Sequence, residues 1–196
     1  GLDKDRHLTP EAMQRGWACL SRFRERLAGF EKEHVRVVAT QTLREAKNRD
    51  AFIQQGSDIL GFPIEVIAGT EEARLIYQGV SHLLPTSDER RLVIDIGGRS
   101  TELILGQALH AKETQSFRLG SVAWSMKYFA DGRLTEQTLD RAQIAAQAVL
   151  EEALVTYARP NWDVAYGSSG TVGAVAEILS LAGWPPGVIE IDGLKW

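Results

Sequence analysis

The sequence has 196 residues, of which 44% are hydrophobic and 24% are charged, and its formal net charge is −4. This length allows one large core or two small lobes. The negative charge argues against a nucleic-acid binder, which usually presents a strongly basic surface. No apolar run approaches the roughly 20 residues of a membrane-spanning helix, and a single cysteine, Cys19, excludes an intrachain disulfide. These features predict a soluble protein with no integral membrane segment, located in a reducing cytoplasm.

The first half of the chain alternates helices with short strands. Thr9 caps a helix that starts at Pro10, and Gly61 ends a later one. In chain order, the predicted elements are a helix at about 10–30, a strand at 35–39, a helix at 50–60, a strand at 63–67 and a helix that opens at 69–70.

The second half has a different order, βββααβα, after a polar linker at 85–90. The predicted elements are strands at 92–96, 102–106 and 114–119, helices at 121–130 and 135–158, a strand at 163–166 and a helix at 171–181. We therefore expect two α/β lobes, at residues 1–87 and 88–196. A first half built like the second would need three strands before residue 1, so we expect a chain that is truncated at its start.

A tight turn joins the first two strands of the second half, between Asp95 and Glu102. Gly97 and Gly98 allow backbone N–H groups, together with the hydroxyls of Ser100 and Thr101, to surround a small anion such as phosphate. Asp95 is poorly suited to an apolar strand unless it binds a metal or accepts hydrogen bonds from the turn. The alternative is an ordinary hairpin in which both glycines have positive φ and Glu102 faces water.

A second glycine-rich turn follows the last predicted strand and opens the last helix. It contains Gly167, Ser168, Ser169, Gly170 and Thr171. The N–H groups and the dipole of a helix start favour negative charge. One such turn is weak evidence for a site, but two in one chain favour the binding of several linked phosphates.

Two charged residues of the first half are further candidates. Glu72 lies at a predicted helix start, where the dipole favours the ionised carboxylate and where it could accept a proton from water. The alternative is that Glu71 and Glu72 only complement the helix dipole. Arg44 follows a strand and could bind a phosphate through two N–H groups, or it could be a solvated arginine at a helix start.

The whole chain resembles the exopolyphosphatase / guanosine pentaphosphate phosphatase family of the actin, Hsp70 and sugar-kinase superfamily. Four segments carry the resemblance, in this order: Thr40–Arg44, Gly69–Ile76, Asp95–Glu102 and Gly167–Thr171. The resemblance implies an actin-like, ribonuclease H-like α/β fold of two lobes, with mixed sheets flanked by helices. It also implies truncation at both ends, because such enzymes begin with a further phosphate loop and continue past residue 196.

The resemblance assigns roles to the candidate residues. It implies that Glu72 is the catalytic base and that Asp95 and Glu102 hold magnesium, with a role for potassium as activator left open. It implies that Arg44 and the two glycine-rich turns, Gly97 to Thr101 and Gly167 to Thr171, surround phosphate. Arg99 replaces the Gly or Ala of many relatives, and it either contacts the substrate or points to solvent.

The activity implied first is that of an exopolyphosphatase, which releases orthophosphate from the end of inorganic polyphosphate. The alternative substrate is guanosine pentaphosphate, whose terminal phosphate would be removed by the same loops. A kinase or ATPase of this superfamily would need an adenosine-binding segment, and none is recognisable. A binding module without turnover is the non-enzymatic alternative. The family relationship also implies a homodimer for the full-length protein.

Overall fold

The computed structural model describes residues 1–195. The chain forms two compact units, of which the first ends at Gly69 and the second begins at Thr70. This division lies earlier in the chain than the predicted lobe boundary at 87/88. The reason is the helix that follows Gly69, because its buried residues Ala73 and Tyr77 pack on the sheet of the second unit. No helix within the described residues has both the length and the apolar character needed to cross a bilayer.

The first unit contains three helices and a two-stranded parallel sheet. Its elements are α1 (Pro10–Arg26), a 3₁₀ turn (Lys32–His34), β1 (Val37–Ala39), α2 (Gln41–Glu45), α3 (Arg49–Leu60) and β2 (Ile64–Val66). Leu8, Leu43 and Ala46 are buried together and form its core. The order agrees with the predicted one, except that the prediction lacked the short helix α2.

Local signals set the helix ends of the first unit. The hydroxyl of Thr9 accepts a hydrogen bond from the N–H of Ala12, at 3.2 Å, and Pro10 occupies the first turn. Gly61 ends α3 with a φ of 84°, as predicted. The predicted end of α1 at residue 30 was wrong, because the helix stops at Arg26 and Gly29 then takes a φ of 90°.

The second unit is built on a four-stranded sheet in the order β5-β4-β3-β6, with β3 and β6 parallel and the other pairs antiparallel. Its elements are α4 (Gly69–Leu83), β3 (Arg90–Ile96), β4 (Thr101–Gln107), β5 (His110–Phe117), α5 (Ser121–Tyr128), α6 (Glu136–Leu150), β6 (Val164–Ser168), α7 (Ser169–Leu181) and α8 (Ile191–Lys195). The predicted order βββααβα is correct from β3 to α7. The predicted helix at 135–158 is too long, because 3₁₀ geometry begins at Glu151.

Each face of this sheet has its own hydrophobic core. Alternating residues of a strand point to opposite faces, so Val93 and Ile104, which pair across β3 and β4, lie on the same face and contact α4. Leu92 and Leu105 lie on the other face, where they pack with Tyr157. This alternation also decides which face receives the polar residues of β3 and β4.

Candidate functional site

A row of polar side chains crosses the sheet near the end of β3. Asp95 pairs with Glu102 of β4 on one side and with Ser168 of β6 on the other, and Glu102 pairs with Ser116 of β5. Residues that pair directly across strands point to the same face. All four side chains therefore lie on one face, which is the face covered by α4.

Glu72 lies at the start of α4, on that same face. The next residue, Ala73, is fully buried against the core that includes Val93 and Ile104. Val93 and Ile104 are each two positions from a carboxylate of the polar row, Asp95 and Glu102 respectively. The helix thus brings Glu72 to the carboxylates of β3 and β4, close enough for its charge to act on Glu102.

Glu102 is the most buried of the three carboxylates, with 1% of its surface exposed. The pKa of Glu102 is raised, mainly because the carboxyl group is buried. The charges of Glu72 and Asp95 raise it further, whereas the hydrogen bonds from Ser116 and Ser100 act in the opposite direction. The Ser116 hydroxyl donates to Oε1 of Glu102 at 2.7 Å. A shifted carboxyl among other carboxylates is typical of a functional site.

Asp95 and Glu102 are the residues predicted to hold magnesium. Within residues 1–195, no group of three or more His, Cys, Asp or Glu side chains is arranged to hold a metal by itself. Magnesium in phosphoryl-transfer sites is usually held by one or two carboxylates together with water and substrate phosphate. Two carboxylates paired on one face fit that requirement, and the magnesium site stays a prediction.

The first glycine-rich turn joins β3 to β4. The N–H of Gly97 donates to the carbonyl oxygen of Ser100 at 2.9 Å, and neither Gly97 nor Gly98 has a positive φ. The hairpin alternative with two left-handed glycines is therefore wrong. Ser100 and Thr101 are buried, and the Thr101 hydroxyl donates to the carbonyl oxygen of Leu119. A phosphate contact through Thr101 stays a prediction.

The start of α5 supports this turn, a contact that the sequence did not predict. The N–H groups of Ser121 and Ala123 donate to the carbonyl oxygens of Gly97 and Gly98, at 3.0 and 2.9 Å. Gly120 lies so close to the backbone of Arg99 that a Cβ atom would overlap it. Arg99 itself is half-buried. The structure thus places the turn between the sheet and α5.

The second glycine-rich turn is shorter than predicted. Gly167 and Ser168 belong to β6, and α7 begins at Ser169, which has a φ of 75°, rather than at Thr171. Gly170 is exposed in the first turn of this 13-residue helix. Its N-terminus lies beside the polar row, because Ser168 pairs with Asp95. The structure thus brings the start of α7 to the carboxylates, and a phosphate contact through this turn stays a prediction.

Arg44 lies in the first unit, on α2. Its guanidinium donates to Oε1 of Gln41 at 2.8 and 3.0 Å and to the carbonyl oxygen of Ile67 at 2.9 Å. These bonds tie α2 to the segment after β2, and they give Arg44 a structural role that its position in the sequence did not indicate. A phosphate contact by Arg44 stays a prediction.

A cavity of about 620 Å³ lies on the opposite face of the sheet. Ile94, Ile96 and Leu103 line it, and these residues alternate with Asp95 and Glu102 along β3 and β4. Its lining is mostly apolar and also includes Trp124, Leu154 and Tyr157. The cavity is therefore separate from the carboxylates, although the ends of both glycine-rich turns reach its edge.

The sequence model of the Ppx/GppA phosphatase family matches residues 1–195. The chain belongs to the Ppx/GppA phosphatase family. Its α/β fold, with sheets flanked by helices, is shared with solved structures of this family.

Among curated proteins, the chain is similar to two that are named guanosine-5'-triphosphate,3'-diphosphate pyrophosphatase. The protein of Vibrio vulnificus is 49% identical over 183 residues, and that of Vibrio atlanticus is 48% identical. Both alignments cover 93% of this chain and 37% of the relative. The chain thus spans little more than a third of the length of these Ppx/GppA relatives.

Solved structures of the family share the fold. An exopolyphosphatase-like protein has a TM-score of 0.83 at 29% identity, covering 90% of this chain and 56% of that one. An exopolyphosphatase of Cytophaga hutchinsonii has a TM-score of 0.77 at 29% identity, with coverages of 93% and 58%. The Ppx/GppA enzyme of Aquifex aeolicus has a TM-score of 0.69 at 26% identity, with coverages of 92% and 58%.

Proposed function

We propose that this chain is the part of a phosphoanhydride hydrolase that holds the catalytic base, and that its substrate is guanosine pentaphosphate. The observation that carries hydrolysis is the grouping of Glu72, Asp95 and Glu102 on one sheet face beside two glycine-rich turns. Relatives named for guanosine pentaphosphate are 48–49% identical, whereas the solved exopolyphosphatases are 29% identical. This difference favours guanosine pentaphosphate over polyphosphate, which the sequence alone had placed first.

In the proposed reaction, a water molecule attacks the terminal phosphorus of the 5′-triphosphate. The water oxygen forms a bond to phosphorus, and the bond from phosphorus to the bridging oxygen breaks. Glu72 accepts the proton of the water as general base. The products are orthophosphate and guanosine tetraphosphate.

In this proposal, the two glycine-rich turns bind the phosphate oxygens. Backbone N–H groups at the start of α7 and around Gly97 and Gly98 would donate to these oxygens as charge develops. Asp95 and Glu102 would hold a magnesium ion, which neutralises phosphate charge in such reactions. A nearby cation also favours the ionised form of Glu102, against the effect of its burial.

The direct test is Glu72→Gln in the full-length protein that carries this sequence, with orthophosphate release measured from guanosine pentaphosphate and magnesium. We expect kcat to fall by about 100-fold or more, because loss of a general base typically costs 10²–10⁴-fold. Glu71→Gln is the matched control, since Glu71 pairs with Arg74 at 2.8 Å in the same helix turn. We expect the control to keep kcat within about 3-fold, as a surface ion pair contributes little.

Long-chain polyphosphate, assayed in parallel, separates the two substrates. A higher kcat/KM for polyphosphate would contradict the assignment to guanosine pentaphosphate and support the exopolyphosphatase alternative. A wild-type protein that binds both compounds and hydrolyses neither would support the binding module instead. A cytoplasmic homodimer also stays a prediction, which size-exclusion chromatography with light scattering and cell fractionation would test.

A further inference from the structure

One serine lies between the two glycine-rich turns. The hydroxyl of Thr171, on α7, donates to the hydroxyl of Ser121 at 3.0 Å. The Ser121 hydroxyl in turn donates to the carbonyl oxygen of Gly97 at 3.3 Å, and its backbone N–H donates to the same oxygen at 3.0 Å. Since each hydroxyl has one proton, the chain of hydrogen bonds runs from Thr171 through Ser121 to Gly97.

These hydroxyls lie on the side of the sheet away from the carboxylates. Ser121 and Thr171 line the apolar cavity, as do Ile94 and Ile96, whereas Asp95 lies on the opposite face. Both side chains are half-buried. Hydrogen bonds that compete little with water are stronger than exposed ones. The arrangement suits a structural link between the turns better than direct contact with substrate.

We infer that Ser121 and Thr171 are positioning residues that fix the distance between the two glycine-rich turns. The inference rests on the proposed function and deepens it, because two turns that bind linked phosphates must keep a constant separation. Gly120 adds to this link, since its missing side chain lets the start of α5 approach the backbone of Arg99. Thr171 then acts through Ser121 instead of binding phosphate itself.

The test is a double-mutant cycle in the full-length protein that carries this sequence. Ser121→Ala and Thr171→Val each remove the hydroxyl link, and each should lower kcat/KM for guanosine pentaphosphate by about 3- to 10-fold, the usual effect of one hydrogen bond. The double variant should be no worse than either single one, because both break the same link. Thr171→Ser keeps the hydroxyl and should restore activity. Ser125→Ala, on the exposed side of α5, is the control.

Hydrogen exchange of the unliganded protein gives a reading that does not depend on turnover. The amide of Gly97, which donates to Ser100 within the first turn, should exchange several-fold faster in both Ser121→Ala and Thr171→Val, and at the wild-type rate in Thr171→Ser. If both variants exchange faster but the wild-type protein hydrolyses nothing, the link stands and only the proposed function is rejected. Unchanged exchange in both variants would overturn the inference.

The kinetic cycle can also contradict the inference. If Thr171→Val abolishes turnover while Ser121→Ala has no effect, Thr171 contacts phosphate directly. If the two losses multiply in the double variant, the hydroxyls act independently. Either result overturns the assignment of a shared positioning role.

Discussion

An ion pair between Arg90 and Asp163 joins the first residue of β3 to the start of β6. The guanidinium donates to Oδ1 of Asp163 at 2.6 Å and to Oδ2 at 3.2 Å, and the backbone N–H of Arg90 donates to Oδ2 at 2.9 Å. These hydrogen bonds lower the pKa of Asp163 to about 2. The pair lies where the parallel strands β3 and β6 begin, and the register of these strands places Ser168 beside Asp95.

The lowered pKa predicts how stability depends on pH. The ionised form of Asp163 is preferred in the fold, so its contribution is fully present above the ordinary pKa of 3.8 and is lost as pH falls through about 2. We expect Asp163→Asn to be less stable than the wild type above about pH 5, with the difference shrinking at lower pH. Urea unfolding of both proteins across this range checks it. Two curves that stay parallel down to pH 2 would contradict the prediction.

At the scale of elements, α4 is the helix that brings the base to the other carboxylates. Its position depends on Tyr77, which is fully buried. The ring lies directly over Gly106 of β4, where a Cβ atom would overlap the ring carbons. The Tyr77 hydroxyl also donates to the carbonyl oxygen of Ala108 at 3.3 Å. A glycine in β4 thus sets how closely α4 approaches the sheet.

Gly106→Ala should therefore displace α4 and lower the free energy of unfolding by about 1–3 kcal/mol, the usual cost of overpacking. Because Glu72 moves with the helix, kcat should fall as well. Gly79→Ala, in α4, is the matched control, because nothing lies within 4 Å of the Cβ position at Gly79. This substitution should leave the free energy of unfolding unchanged or raise it by about 0.5–1 kcal/mol. Chemical denaturation and the orthophosphate assay measure both effects. Equal stability of the two variants would show that Tyr77 can move without cost.

At the scale of the whole molecule, each compact unit has its own core, and the two faces of the larger sheet are covered differently. The face under α4 holds the carboxylates and is closed by Ala73 and Tyr77. The other face borders the cavity of about 620 Å³. Leu154, which lines this cavity, is 67% exposed. An exposed apolar surface of this kind binds apolar molecules more readily than the rest of the surface.

We expect an apolar fluorescent dye such as anilinonaphthalene sulfonate to bind the native 196-residue chain at this cavity. Leu154→Asp should weaken dye binding by about 10-fold or more, because a charge beside apolar surface is costly to desolvate. Leu83→Asp is the control, since Leu83 is 88% exposed at the end of α4 and does not line the cavity. A dye affinity lowered equally by both substitutions would contradict binding at this cavity.

Local patterns in the sequence were sufficient for most of the elements. Thr9, Pro10 and Gly61 act within a few residues, so they predict helix ends correctly. The order βββααβα followed from the apolar patterns of the individual segments. Glu72, Asp95 and Glu102 became candidates through their positions at a helix start and at the ends of a turn, and the family resemblance assigned their roles. The family was also predicted correctly, because those segments retain their order along the chain.

Tertiary structure alone decided which of these residues meet. Glu72 lies 23 positions before Asp95 in the sequence, and only the packing of α4 on Val93 and Ile104 brings the two together. The burial of Glu102, the hydrogen bond from Arg44 to Ile67 and the link from Thr171 to Ser121 also depend on residues distant in the chain. Such contacts arise from strand register and helix packing, which no local pattern specifies. The sequence by itself determined the elements and the chemical groups, and the fold determined their arrangement.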